Sequence, residues 1–189
     1  MSTQSQHREE PSPVRESVPG TTASFTRANQ VARYVAAALR LSLGWVFLWA
    51  FLDKTFGLGH ETPHADAWIR GGSPTKGFLA GAVAGPFESL YHNIAGQAWA
   101  DWLFMIGLLC IGVALILGIT MRLAAASGAL LLVLMWTAVL PPTNNVFIDD
   151  HLIYAMTLVL LAALGAGRVL GLGGRWDGLP VVQRHTWLR

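Results

Sequence analysis

The chain has 189 residues, of which 53% are hydrophobic and 13% charged, and its mean hydropathy is +0.45. A soluble domain carries roughly 25% charged residues, so this chain does not suit a globule coated in water. The formal net charge is only +2 and the basic residues form no run, which argues against nucleic-acid binding. A single cysteine, Cys110, excludes disulfide scaffolds, zinc fingers and iron–sulfur sites within the chain. What is left is an integral membrane protein.

Residues 1–30 are rich in Ser, Thr, Gln, Pro and charge. They are too polar to bury a core and read as a disordered cytoplasmic tail. No apolar stretch precedes Val31, so the segment is not a signal peptide, and the first helix is expected to stay as an uncleaved anchor. A spanning helix needs roughly 20 mostly apolar residues. Four segments fit: 35–52 with Arg40 inside it, 102–119, 123–140, and 152–170 with Arg168 near its end. Each is apolar all round, as helices facing lipid are. The expected fold is all-α: a four-helix transmembrane bundle over residues 31–172, followed by a cytoplasmic tail at 173–189.

The connections refine this. Only Thr120, Met121 and Arg122 separate the second and third segments, so these must be antiparallel neighbours. Pro141 and Pro142 stop the third helix, because proline cannot continue the hydrogen-bond ladder. The first and second helices are joined by a long loop, and loops of that length are usually functional or disordered. Its apolar run 77–87 is too short to span and is expected to lie at the membrane surface as a short interfacial or re-entrant helix. Gly107, Gly112, Ala114 and Gly118, with the small residues at 124–128, should form the faces buried between helices. Arg27, Arg33, Arg122, Arg175, Arg184 and Arg189 fall on one side of the membrane, against Lys54, Arg70 and Lys76 on the other. That bias places both termini in the cytoplasm and the long loop outside, in the cytoplasmic (inner) membrane.

An ionisable group inside a bilayer marks function by default. Arg40 either snorkels towards the headgroups on its long stem or anchors an anionic or carbonyl-bearing ligand between helices. At the other end, Asp53 and Lys54 close the first helix, while Asn145, Asp149, Asp150 and His151 open the fourth. An Asp there also satisfies capping and the helix dipole, but two Asp followed by His exceed what a cap requires. Histidine titrates near neutral pH and can shuttle a proton. Asp149, Asp150 and His151 are therefore the candidate proton site, and Arg40, Lys54 and Asn145 the candidate quinone or ligand contacts. No haem or metal is expected, since of the six histidines only His151 touches a spanning segment, and Pro63 interrupts the pair His60 and His64. Cys110, mid-helix in apolar surroundings, reads as an inert packing residue. No glycine-rich phosphate loop exists, so neither nucleotide nor bound flavin is expected.

Several motifs stand in a telling order: Arg40-Leu41-Ser42-Leu43-Gly44, then Lys54 closing the helix, then Asn145 followed by His151-Leu152-Ile153-Tyr154, then Gly165-Ala166-Gly167-Arg168. Together they resemble the DoxX/DoxD family of small membrane proteins. The resemblance covers residues 40–172 and all four expected helices. It implies a four-helix bundle in the cytoplasmic membrane. The Asp-Asp-His entry and the long first loop look closer to the DoxD-like subunit of thiosulfate:quinone oxidoreductase, which passes electrons from thiosulfate to membrane quinone alongside a separate DoxA subunit. The chain departs from that enzyme in holding no DoxA-like domain, so a thiosulfate-handling partner would be a second protein. Three function classes follow: a quinone-linked oxidoreductase subunit, a non-catalytic membrane scaffold or assembly partner of a redox or oxidative-stress complex, and a small-molecule or lipid carrier. The bilayer is the expected surrounding, self-association is open, and no nucleic-acid partner is expected.

Overall fold

The structure, a computed structural model, describes residues 19–143 and 145–188, with side chains from residue 29 onward. The described residues form helices and no strand. They are α1 (Pro19–Phe56), α2 (Lys76–Gly81), α3 (Glu88–Ile94), α4 (Ala98–Leu117), α5 (Met121–Ala138), α6 (Asp150–Ala163), α7 (Gly173–Asp177) and α8 (Pro180–Arg184). Three are long and apolar enough to cross a membrane: residues Asn29–Phe56 of α1, α4 and α5.

Local chemistry sets the boundaries. α1 ends where Gly57 takes φ +65° and returns its N–H to the Asp53 carbonyl at 2.8 Å. α4 ends the same way at Gly118, φ +72°, whose N–H reaches the carbonyls of Ala114 and Leu115. Left-handed backbone of this kind favours glycine. α5 stops ahead of Pro141 and Pro142, as expected from the missing proline N–H. α6 starts on Asp149, whose side chain accepts from the Leu152 N–H.

Packing pairs α1 with α4 and α5 with α6 most closely, with α4 against α5 across their short turn. The core is a seam of Leu43 and Phe47 from α1, Met105, Leu108, Ile111 and Leu115 from α4, Leu132 from α5, and Leu158 and Leu161 from α6. Gly44 and Gly112 bring α1 and α4 nearly into backbone contact: a Cβ on Gly112 would stand 2.8 Å from the Leu48 nitrogen. The opposite faces carry Trp45, Leu103, Leu130, Met156 and Val159, all about half exposed or more. Such large apolar residues turned outward suit a lipid surrounding.

Four expectations need correction. The chain is helical from Pro19, so the disordered tail does not extend to residue 30; its part at residues 1–18 lies outside the described residues. The fourth helix stops at Ala163 rather than 170, so α6 has 14 residues and a length of about 21 Å at 1.5 Å per residue. Gly165, at φ +63°, ends it, and a 3-10 turn, Ala166–Arg168, leads the chain back onto α4, where the Leu172 N–H meets the Leu117 carbonyl at 2.8 Å. The small-residue faces are only partly buried: Gly112, Gly118, Ala124, Ala125 and Gly128 face neighbours, while Gly107 has open space where a Cβ would be. Cys110 lies on the exposed side of α4 rather than in its packed seam.

The long loop is ordered by a few polar clasps. Its apolar run 77–87 is helical only as α2, because Gly85 (φ +88°) and Pro86 interrupt it, and α3 begins just after the run at Glu88. The Tyr91 hydroxyl donates to the Leu134 carbonyl at 2.9 Å and lies 2.5 Å from the Thr137 hydroxyl, tying α3 to the end of α5. Trp68 packs edge-on against Trp102 of α4, with ring centroids 4.7 Å apart.

Candidate functional site

The end of the molecule that carries the long loop also carries the entry to α6. There Asp149 has two partners. One carboxylate oxygen accepts from the Leu152 N–H at 3.2 Å, which caps the helix. The other lies 2.7 Å from Nδ1 of His151. Both side chains are mostly buried, at 12% and 20% exposure. With Nδ1 donating to Asp149, the tautomer and orientation of the His151 ring are fixed, and Nε2 is its remaining polar atom. Asp150 is 3.6 Å from the same Nδ1 but is 67% exposed and turned to the surface. One ligand atom from each of Asp149, Asp150 and His151 lies within 4.8 Å of the others, a spacing a divalent ion could bridge, although both oxygens of Asp149 already have partners.

The other predicted contacts do not join this pair. Asn145 is exposed and its side-chain oxygen accepts from the N–H groups of Phe147 and Ile148 at 3.1 and 3.4 Å. It shapes the turn before α6, which is the ordinary work of an Asx turn. Lys54 is 16% exposed and lies 3.7 Å from Glu61, on the wall of a cleft of about 750 Å³ that also involves Ser73, Lys76 and Phe78. Its neighbour Asp53 is buried and accepts the N–H groups of His60, Glu61 and Thr62 at 3.3, 3.1 and 2.9 Å. Asp101, also buried, accepts from the Thr75 N–H at 3.1 Å and from the hydroxyls of Ser73 and Thr75 at 2.9 and 2.6 Å. These two carboxylates hold the cleft's walls, and reading the sequence missed that role. Asp53 did carry a signal: an acid in the last turn of a helix opposes the dipole, so it needed partners elsewhere. Asp101 carried none, since a first-turn acid is already explained by the dipole.

Arg40 lies far from this end, about 21 Å along α1 from Lys54 at 1.5 Å per residue. It neither snorkels nor reaches an open cavity. The side chain is completely buried, and its guanidinium links two broken ends. Nη1 donates to the carbonyls of Leu115 and of Ile116, the latter at 2.9 Å. Nη2 donates to those of Val169 and Leu170 at 3.2 and 2.9 Å. Helix C-terminal carbonyls carry partial negative charge, so a cation is the group that suits them. Nε has no partner among the described residues. The ligand-anchor reading of Arg40 is thus replaced by a structural one: no single small ligand can touch both Arg40 and Lys54.

Comparison of the chain with models of known protein families, with curated proteins and with solved structures finds no match in any of the three.

Proposed function

We propose that this chain is a DoxX/DoxD-type membrane subunit of a quinone-linked oxidoreductase. In this reading α1, α4, α5 and α6 all enter the cytoplasmic membrane, with both termini inside and the loop between α1 and α4 outside. α6 together with the turn at residues 166–168 completes the fourth crossing, and Arg40 satisfies the backbone that the turn frees, as irregular structure at membrane depth requires.

The observation that carries the reading is the hydrogen-bonded Asp149–His151 pair, 2.7 Å apart and mostly buried at the end of an apolar helix. Reducing a quinone to a quinol takes two electrons and two protons. His151 delivers a proton to a quinone oxygen from Nε2 while Asp149 holds the ring in the donating orientation, and Nε2 is reprotonated from water at this end of the helix to supply the second proton of the quinol. The electrons come from a reductant such as thiosulfate, through a separate DoxA-like or other redox subunit. The test is thiosulfate-dependent quinone reduction in membranes with and without this protein, then with His151→Gln. General acid–base catalysis contributes typically 10²–10⁴-fold, so His151→Gln should lower turnover by about 100-fold or more with the protein still folded. Unchanged turnover in that variant refutes the proton site.

A scaffold reading has its own observation. The buried polar side chains of Arg40, Asp53 and Asp101 and the Tyr91 hydroxyl are all engaged in holding backbone or loop. If the protein supports a redox complex without turning over, His151→Gln leaves partner co-purification unchanged and no membrane shows protein-dependent quinone reduction.

A further inference from the structure

The end of the molecule away from the long loop holds a pocket that the proposed function does not use. It has a volume of about 280 Å³ and lies between the start of α5, the end of α6 and α7. Thr120, Arg122, Leu164, Arg168 and Trp176 are among its lining residues. At that size it sits at the lower edge of ligand cavities, too small for a nucleotide and sufficient for a phosphate with its ester arm.

Its lining carries two guanidiniums, Arg122 and Arg168, against one carboxylate, Asp177. Arg168 gives Nε and Nη2 to one oxygen of Asp177, at 2.9 and 2.7 Å, which leaves Nη1 without a partner among the described residues in a side chain that is 64% exposed. Arg122 gives Nη1 to the Thr186 carbonyl at 3.0 Å and meets no carboxylate among the described residues. Behind the pocket wall stands the buried guanidinium of Arg40. Its Nη1 lies 3.1 Å from where a Cβ on Gly118, itself a lining residue, would be. All of Arg40's partners are carbonyls, with no carboxylate among them, so their partial charges offset only part of its charge and the rest adds to the local potential. α5, 18 residues long, begins here with no side-chain cap and no acid in its first turn, and its positive end points the same way.

The setting separates a lipid from a free anion. The pocket lies where α4 and α6 end, at the depth where headgroups begin. Its rim carries Leu164, with Leu170 and Leu172 close in the chain, exposed by 63%, 63% and 44%. A small soluble anion has no use for that apolar rim, whereas acyl chains do, and a half-buried Trp such as Trp176 is the residue favoured at this depth. The geometry points to a binding site for an anionic phospholipid, with Arg122 and Arg168 on the phosphodiester and the chains lying along the leucines.

The test uses the full chain purified in neutral detergent and titrated with dioleoylphosphatidylglycerol or dioleoylphosphatidylcholine. One basic residue near an anionic lipid surface is worth about fivefold in affinity. Phosphatidylglycerol should therefore bind about tenfold or more tightly than phosphatidylcholine. Arg122→Gln and Arg168→Gln should each weaken it about fivefold. Arg184→Gln, on α8 outside the pocket, should leave it unchanged. Equal binding of the two lipids by the unmodified protein overturns the proposal, whether or not the variants fold. So does a loss with Arg184→Gln as large as with the pocket variants. Displacement of phosphatidylglycerol by inorganic phosphate at comparable concentration would also overturn the lipid assignment, making free phosphate the ligand.

Discussion

Replacing Arg40 by methionine tests the structural role most directly. Methionine keeps much of the length and apolar bulk of the stem but removes every donor. Of the four carbonyls that Arg40 serves, Leu115 also accepts from the Gly118 N–H. For Ile116, Val169 and Leu170, Arg40 is the hydrogen-bond partner in the structure. A buried carbonyl left without a donor costs about 1–3 kcal/mol, so three of them amount to roughly 3–9 kcal/mol. Removing the cation also relieves the cost of burying a charge, so the expected net effect lies in the lower part of that range, about 3–5 kcal/mol. In a chain of this size 1 kcal/mol moves Tm by about 2–4 °C, so Arg40→Met should melt roughly 6–20 °C lower. The assay is thermal unfolding in detergent followed by tryptophan fluorescence, with limited proteolysis at residues 164–172 as a local readout. Arg40→Lys should fall between the two, because one ammonium cannot reach four carbonyls spread over two chain ends. A Tm within about 2 °C of the parent, roughly 1 kcal/mol or less, would refute the reasoning and return Arg40 to the role of ligand anchor.

Other outcomes follow from the same contacts. Gly118→Ala should fail to fold or lose several kcal/mol, about 2 or more, because its Cβ would lie 2.6 Å from the Gly167 carbonyl oxygen at φ +72°; Gly107→Ala, with open space at its Cβ, should be neutral or gain about 0.5–1 kcal/mol, and equal behaviour of the two in the same melting assay would contradict the packing. Asp53→Ala strips three N–H groups of their acceptor and should open residues 57–62 to protease at least about tenfold faster, if one or two of those bonds at about 1 kcal/mol each set the local opening. Cys110, exposed at mid-helix on α4, faces lipid, where a thiol stays protonated, so in membranes it should resist maleimides whether lipid-soluble or charged and should label only after denaturation; labelling by a charged maleimide in intact membranes would mean that this face of α4 meets water.

Much of the architecture is legible in the amino-acid sequence alone. Composition places the chain in a membrane, since 13% charge cannot cover a soluble surface. Apolar runs locate the spanning helices to within a few residues, because twenty residues of hydrocarbon-compatible side chains have few other uses. Gly118 reads as a packing residue inside the second segment and shows itself as a stop only in the fold, whereas proline marks where α5 stops, since its backbone limits act locally. Asp149 as a cap was legible for the same reason, and His151 lies beside it within two residues of chain.

What the tertiary structure alone decided is long-range. An apolar run at 152–170 looks the same whether it continues as helix or turns at Gly165. The turn holds because Arg40, 129 residues away from Val169 in the chain, supplies donors to its carbonyls. The same contact decides that Arg40 is structural, which a lone arginine in an apolar segment cannot reveal. Asp53 and Asp101 read as helix-end charges until residues 60–62 and 73–75 fold onto them. In each case the residue type announces a demand, a charge or a hydrogen bond to be satisfied, and only the folded chain brings the partner that meets it.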